Sequence, residues 1–332
     1  MKIKAIGVAF PKRMVDNGTI EKWCGLPEHT VAEKLGIQNR RFLDENETGT
    51  DLSEQAVLNL QKEKPDFDLS KIKLLIVVTQ NPDYKLPHNS ALLQARLGMP
   101  RDVACFDVSL GCSGYVYSLS IAKGFMKEAK VDEALILTCD PYSKCIRKEN
   151  REVAALFGDA ATATWLNPRG FGEIGLGDFG TDGLGAQNLI IRKGGAANPY
   201  GRTEVAIPKE GNEDDSHLHM NGRAIFNFMM NRIPTSVATC LEKNNVSQGE
   251  IDYFVFHQAS KYLLENLQSK LGLPKEKVVL SMEHSGNTVS SSIPCALKEL
   301  FDENKISGRT KILLSGFGVG LSWASNIVHF NK

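Results

Sequence analysis

The sequence has no CxxC pair among its seven cysteines, which stand at 24, 105, 112, 139, 145, 240 and 295. That spacing argues against a zinc site or a disulfide framework, and no metal is expected. It has no net charge, with 39 Lys and Arg against 39 Asp and Glu. There is therefore no electrostatic footprint for nucleic acid, and no such partner is expected. It has no apolar run of membrane-spanning length, and the opening MKIKAIGVAFPKRMVDN has too short an apolar run for a signal peptide. A cytoplasmic protein without membrane association is the expectation. What remains is a globular composition, 42% hydrophobic and 23% charged over 332 residues. That length holds one large domain or two ordinary ones.

One stretch organises the rest. In ACFDVSLGCSGYVYSLSIAKGFM, residues 104–126, a short apolar run reads as a buried strand ending at Val108. Val116, Leu119, Ile121, Ala122, Phe125 and Met126 then recur at helical spacing. Cys112 sits where the strand turns into the helix. There its sulfur faces the positive end of the helix dipole, which favours thiolate over thiol. The plainer reading is a buried structural cysteine, and this stretch alone leaves both open.

Around it the pattern predicts an α/β chain. Strands are expected at 2–10, 71–79, 133–139 and 251–256, and helices at 51–62, 90–97, 221–243 and 261–271. Residues 167–215 are rich in Gly, Asn and Asp and read as an irregular connection with a hairpin or two. The chain then repeats itself. LGLPKEKVVLSMEHSGNT (271–288) matches LGMPRDVACFDVSLGCSG (97–114), KILLSGF (311–317) matches EALILTC (133–139), and YFVFHQAS (253–260) matches LLIVVTQNP (74–82). Three matches in one order predict two α/β halves about a pseudo-two-fold axis. The expected division is 1–170, a connection at 171–215, and 216–332.

The repeat sets Asn287 opposite Cys112 and puts His257 just after a strand. Strand ends of related halves converge on one face, so the three residues can share a pocket. Each has a plainer alternative: a capping or surface histidine, and an Asn that merely follows Gly in a turn. Together they suit thioester chemistry. A thiolate takes an acyl group covalently, and the oxyanion needs backbone N–H donors. One donor is expected from Cys112 itself and another from the loop GFGVG (316–320). His257 and Asn287, as neutral donors, suit an enolate formed by decarboxylation, which a nearby carboxylate would oppose. The order Cys, His, Asn also occurs in papain-like proteases, but the context of Cys112 and the internal repeat do not fit them. A scaffold that has lost activity would not be expected to keep all three residues.

Taken together, DVSLGCSGYVYSLSIA, LFGDAATATWL, MNGRAIFNF, FHQAS, SGNTVSSSIP and GFGVGLSWAS resemble the ketoacyl-acyl-carrier-protein synthase III family. The resemblance covers nearly the whole chain. It implies a thiolase fold layered α-β-α-β-α, with Cys112 as the acylated nucleophile and His257 with Asn287 as the decarboxylation pair. It makes Val319 the second oxyanion donor. It implies an acyltransferase that loads an acyl group from acyl-CoA or acyl-carrier protein and condenses it with malonyl-carrier protein, giving a 3-ketoacyl thioester. The alternative is acyl transfer to an alcohol or amine without decarboxylation. No cofactor is implied, CoA or phosphopantetheine thioesters being substrates. A homodimer is implied, the partner lending the loop near Leu86 to the acyl pocket. Arg151 fits an arginine that sandwiches the CoA adenine, and Arg223 is a candidate at the tunnel mouth. The aromatic half of the sandwich is Thr30 here, the phosphate-holding arginine is Lys34, a usual Asn is Ser260, and a gating Phe is Leu86. Lysine offers a point charge where arginine offers a fork. These departures point to a donor carried on a protein, or to an acyl-CoA held differently.

Overall fold

The computed structural model describes residues 1–200 and 215–331. The first half contains β1 (Lys2–Ala9), β2 (Met14–Asp16), α1 (Asn17–Cys24), α2 (Thr30–Leu35), β3 (Asn39–Arg41), α3 (Gly49–Glu63), β4 (Leu74–Val78), α4 (Asn89–Arg96), β5 (Ala104–Val108), α5 (Gly114–Ala129), β6 (Ala134–Cys139) and β7 (Ala161–Asn167). There follow β8 (Gly172–Ile174), β9 (Asp178–Thr181), β10 (Leu189–Ile190), β11 (His219–Met220), α6 (Gly222–Lys243), β12 (Tyr253–Phe256), α7 (Lys261–Leu271), α8 (Ser292–Asp302), β13 (Arg309–Gly318) and β14 (Ser322–Asn331).

Strand alternation sorts the apolar residues into three cores. In β4, Leu74, Ile76 and Val78 face a central core, while Leu75 and Val77 face an outer one. In β12 and β13, Val255, Ile312 and Leu314 face the same central core, and Phe254, Phe256 and Leu313 face a third. A strand covered on both faces needs a continuous apolar run, which is why LLIVV does not alternate. The central core is filled by α5 and α8. Ile293, Ala296, Leu297 and Leu300 of α8 recur at i, i+3, i+4, i+7, one helical stripe. Ala56, Val57 and Leu60 of α3 cover one outer face, and Met229, Ile233 and Val237 of α6 the other. The order is α-β-α-β-α, as expected.

The repeat is visible in the pairing. β4 lies parallel to both β5 and β6, and β6 is antiparallel to β7. Likewise β12 is parallel to β13, which is antiparallel to β14. Two expectations change. The strand expected before Gly286, the counterpart of β5, is a single parallel bridge, Phe254 with Val278. The Gln258 side chain replaces the ladder there. Its Nε2 donates to the carbonyls of Phe256 (2.8 Å) and Val279 (3.1 Å), and its Oε1 accepts from the Ser281 N–H (2.7 Å). The connection at 171–215 is also less irregular than expected. β8 pairs with both β1 and β14, joining the halves into one ten-stranded sheet, and β9 adds to β14. Residues 201–214 of that connection lie outside the described residues.

Leu297 is fully buried in the central core, whereas Leu58 of α3 is 48% exposed. Leu297→Ala is expected to cost about 2–5 kcal/mol in urea unfolding, and Leu58→Ala within about 0.5 kcal/mol. Equal losses would overturn the placement of α8 in the central core.

Candidate active site

Cys112 occupies a 3-10 turn, Gly111–Ser113, between β5 and α5. Asn287 is followed by a second 3-10 turn, Val289–Ser291, which leads into α8. The two turns are built alike. Gly111 and Val289 both take left-handed backbone, with φ of 51° and 54°. Each is followed two residues later by the end of its turn and then by a helix. By this geometry the counterpart of Cys112 is Ser290, and Asn287 lies three residues ahead of it. The expected one-to-one match of Asn287 with Cys112 is therefore shifted, because two small-residue turns can be aligned in sequence in several registers.

The strand β13 runs directly under the nucleophile. A Cβ on Gly318 would come 3.0 Å from Cys112 Sγ, so the absence of a side chain there clears the space at the sulfur. Gly158 serves the other side of the site. A Cβ there would overlap the Ser285 carbonyl, and only glycine lets the two loops cross. Their crossing is hydrogen-bonded: Asn287 N–H donates to the Leu156 carbonyl (2.9 Å), and Gly158 N–H to the Asn287 carbonyl (3.0 Å). The segments FGD and GNT thus hold each other.

His257 follows β12, and its backbone N–H donates to the Ser315 carbonyl of β13 (2.8 Å). Its ring stands edge-on to Phe317, 84° between planes. Nδ1 lies 2.8 Å from Ser292 Oγ, and Nε2 lies 3.4 Å from Asn287 Nδ2. Asn287 Oδ1 accepts from the Val289 N–H (2.9 Å), which turns the amide nitrogen toward the histidine. The Ser292 hydroxyl donates to the Val289 carbonyl (2.9 Å). A hydroxyl whose proton is so committed accepts from Nδ1–H, leaving Nε2 as an acceptor.

Burial dominates the electrostatics. It pulls the His257 pKa down to about 3, so the ring is neutral. It also pushes the Cys112 thiol up, and the Asp140 carboxylate nearby adds to the rise, while the residue's own backbone N–H opposes it. The expectation of a thiolate favoured by the helix start is therefore reversed. Desolvation of the buried turn favours a resting thiol beside a neutral imidazole.

A cavity of about 620 Å³ gathers Cys112, His257, Asn287, Ser260, Arg151 and Arg223 on one lining. Ser260 is also the N-cap of α7, its hydroxyl accepting from the Leu263 N–H (3.3 Å). Lys34 lies outside the lining on the exposed side of α2, and Leu86 lies outside it at 88% exposure. Val319 follows the lining residue Gly318 and rests its side chain on Gly111. Sequence reasoning missed three features. Ser292 was hidden in a run of serines that reads as a helix start. Tyr262, 60% exposed, stacks on Phe226 with ring centroids 5.9 Å apart, both on the cavity lining. Tyr142 lines the cavity too, its hydroxyl donating to Gln80 Oε1 (3.2 Å). Neither aromatic position carried a motif.

A thiol, a neutral imidazole with its lone pair toward the cavity, and an oriented amide N–H can together open a thioester and stabilise an oxygen anion. Comparison with known proteins agrees. The profile of 3-Oxoacyl-[acyl-carrier-protein (ACP)] synthase III matches residues 106–183, and that of its C-terminal part matches residues 241–330. The β-ketoacyl-[acyl-carrier-protein] synthase III of Clostridioides difficile (strain 630) is 32% identical, over 98% of this chain and 97% of that protein. The chain belongs to the synthase III family. A crystal structure of a 3-oxoacyl-(acyl-carrier-protein) synthase III superposes with a TM-score of 0.93 at 36% identity, covering 99% of both chains. A priming β-ketosynthase from the R1128 polyketide biosynthetic pathway superposes with a TM-score of 0.88 at 26% identity, over 100% of this chain and 96% of that one. Among the described residues, no helix is long and apolar enough to cross a membrane.

The raised thiol sets a pH dependence for this synthase. Alkylation of Cys112 by iodoacetamide, followed on its peptide by mass spectrometry, is expected to rise steadily into the alkaline range. A plateau between about pH 6 and 8 would instead mean a resting thiolate–imidazolium pair and would contradict the buried, neutral site.

Proposed function

We propose that this chain is a decarboxylating thioester condensing enzyme that makes 3-ketoacyl thioesters. The observation that carries the reading is the joint presence of Cys112, His257 and Asn287 on one cavity, with the asparagine amide oriented inward. Simple acyl transfer to an alcohol or amine needs the nucleophile but not both partners, so their presence favours condensation.

The reaction has two halves. In the first, Cys112 attacks the carbonyl of an acyl-CoA or acyl-carrier protein. Because the thiol is held protonated, its proton passes to His257 Nε2 as the C–S bond forms. The oxyanion is held by the backbone N–H groups of Cys112 and Val319. Collapse expels the carrier thiolate, which takes the proton back from Nε2 and leaves as a thiol. In the second half, a malonyl thioester on carrier protein loses CO₂. The resulting enolate is held by Asn287 and His257, and its carbon attacks the Cys112 thioester. The C–S bond breaks and the sulfur is reprotonated from water. Thioesters of CoA and phosphopantetheine enter as substrates, and no cofactor takes part.

At the mouth, Arg151 is the candidate to stack on the adenine of a CoA donor and Arg223 the candidate contact for its pantetheine arm. Lys34 adds a more distant charge, and Ser260 is mainly a helix cap. A homodimer completes the acyl pocket: β5 is an edge strand free to pair, and the loop carrying Leu86 projects from the protomer. The cytoplasm, where these thioesters are made, is the working compartment. Sedimentation equilibrium is expected to give a dimer, and a monomer would overturn this part.

The deciding experiment is intact-protein mass spectrometry with a panel of acyl-CoAs and acyl-carrier proteins. An acyl adduct is expected on the wild type and none on Cys112→Ser. Malonyl-carrier protein should then discharge it. Asn287→Ala should keep the adduct while CO₂ release falls by about 10²–10³-fold. If no donor labels Cys112, the condensing-enzyme reading fails.

A further inference from the structure

The two half-reactions ask opposite things of one nitrogen. Taking the Cys112 proton needs a lone pair on His257 Nε2, whereas holding an enolate oxygen needs a hydrogen there. The ring is buried and its resting bonds all run one way. Asn287 Nδ2–H points at Nε2, Nδ1–H at Ser292 Oγ, and the Ser292 hydroxyl at the Val289 carbonyl. The Gln258 backbone N–H also reaches Ser292 Oγ, at 3.4 Å. In this polarity Nε2 accepts and cannot donate.

We propose that Ser292 is a positioning residue that lets His257 present either a lone pair or an N–H to the cavity without moving the ring. Resting on the condensing-enzyme reading, this adds a part to it. A serine hydroxyl both donates and accepts. Rotated away from the Val289 carbonyl, it donates to Nδ1, and the ring then carries its hydrogen on Nε2. The exchange adds a proton at Nε2 from water in the carrier-free cavity and releases the one on Nδ1 by way of the rotating Ser292 hydroxyl, so charge is unchanged. The next polar group is the Val289 carbonyl, which takes the Ser292 hydroxyl, and the Val289 backbone is also a partner of the ring. A carbonyl only accepts. Without Ser292 the ring is therefore fixed with its hydrogen on Nδ1, which serves acylation and not decarboxylation. Ser292 is 2% exposed and opens α8, so its few partners decide its rotor.

The test separates the half-reactions in the full-length protein. Ser292→Ala is expected to keep Cys112 acylation within about threefold while malonyl decarboxylation falls about tenfold or more, the usual scale for a group orienting another. Ser292→Thr, which keeps a hydroxyl, is expected to restore decarboxylation. A second readout is ¹⁵N NMR of the His257 ring. The probe is an inert malonyl-pantetheine analogue with sulfonate for carboxylate and amide for thioester. On binding it, wild-type Nε2 should change from pyridine-type to pyrrole-type, and Ser292→Ala should not. Equal loss of both half-reactions would overturn the proposal, as would an Nε2 change in Ser292→Ala matching the wild type. A wild type that neither acylates nor releases CO₂ would overturn the condensing-enzyme reading itself, and the same assays detect it.

Discussion

The geometry of the site hangs on the backbone of Val289. Its φ of 54° is a conformation that a β-branched residue rarely takes. Such strain is worth about 1–3 kcal/mol and persists only where the surroundings enforce it. Val289 is fully buried, and its turn is held at one end by α8 and at the other by the crossing with residues 156–158. The strained turn faces both of its polar groups toward the site. Its N–H fixes the Asn287 amide, and its carbonyl receives the Ser292 hydroxyl. One backbone unit therefore orients the amide and, through Ser292, the imidazole. In the other half Gly111 takes the same conformation without that strain.

Much of this was legible in the chain. The parallel β4–β5–β6 unit and its echo in β12 and β13 follow from continuous apolar runs bounded by small residues. Cys112 was legible because a strand, a glycine turn and a helical stripe meet there. Asn287 and His257 became legible only through the repeat. What escaped depended on long-range pairing. Nothing in VVLSM says that a glutamine side chain will replace its ladder, since Gln258 lies 21 residues from Val279. Nor does GEI announce that it will join two halves. The upward push on the Cys112 thiol escapes the sequence for a related reason. Position at a helix start can be read locally, but burial is a property of the whole fold, and burial dominates.

That burial explains how a site without a resting ion pair can work. A thiolate and an imidazolium would have to be kept desolvated throughout the cycle, at a large cost in low dielectric. Here the groups are neutral until bond formation begins. The Asn287 amide is already turned toward the cavity by the Val289 N–H, ready for an oxygen on which charge develops. Donors already aimed need no reorganisation when the charge arrives. Neutrality also leaves His257 free to change tautomer, which a permanently charged ring cannot do.

The same division separates the reacting centre from the mouth. The centre is over-determined: two glycine-permitted crossings, a strained turn and a chain of hydrogen bonds fix three side chains. At the mouth, Arg151, Arg223 and Tyr262 are exposed, and few hydrogen bonds among the described residues constrain them. Substitution there leaves the hydrogen-bonded turn behind it untouched. Thr30 in place of a ring, with the Tyr262–Phe226 stack on the cavity lining, is a change of that kind. Side chains at the mouth can therefore diverge between synthases whose Cys, His and Asn coincide, because they are not tied into the hydrogen bonds that fix Asn287 and Ser292.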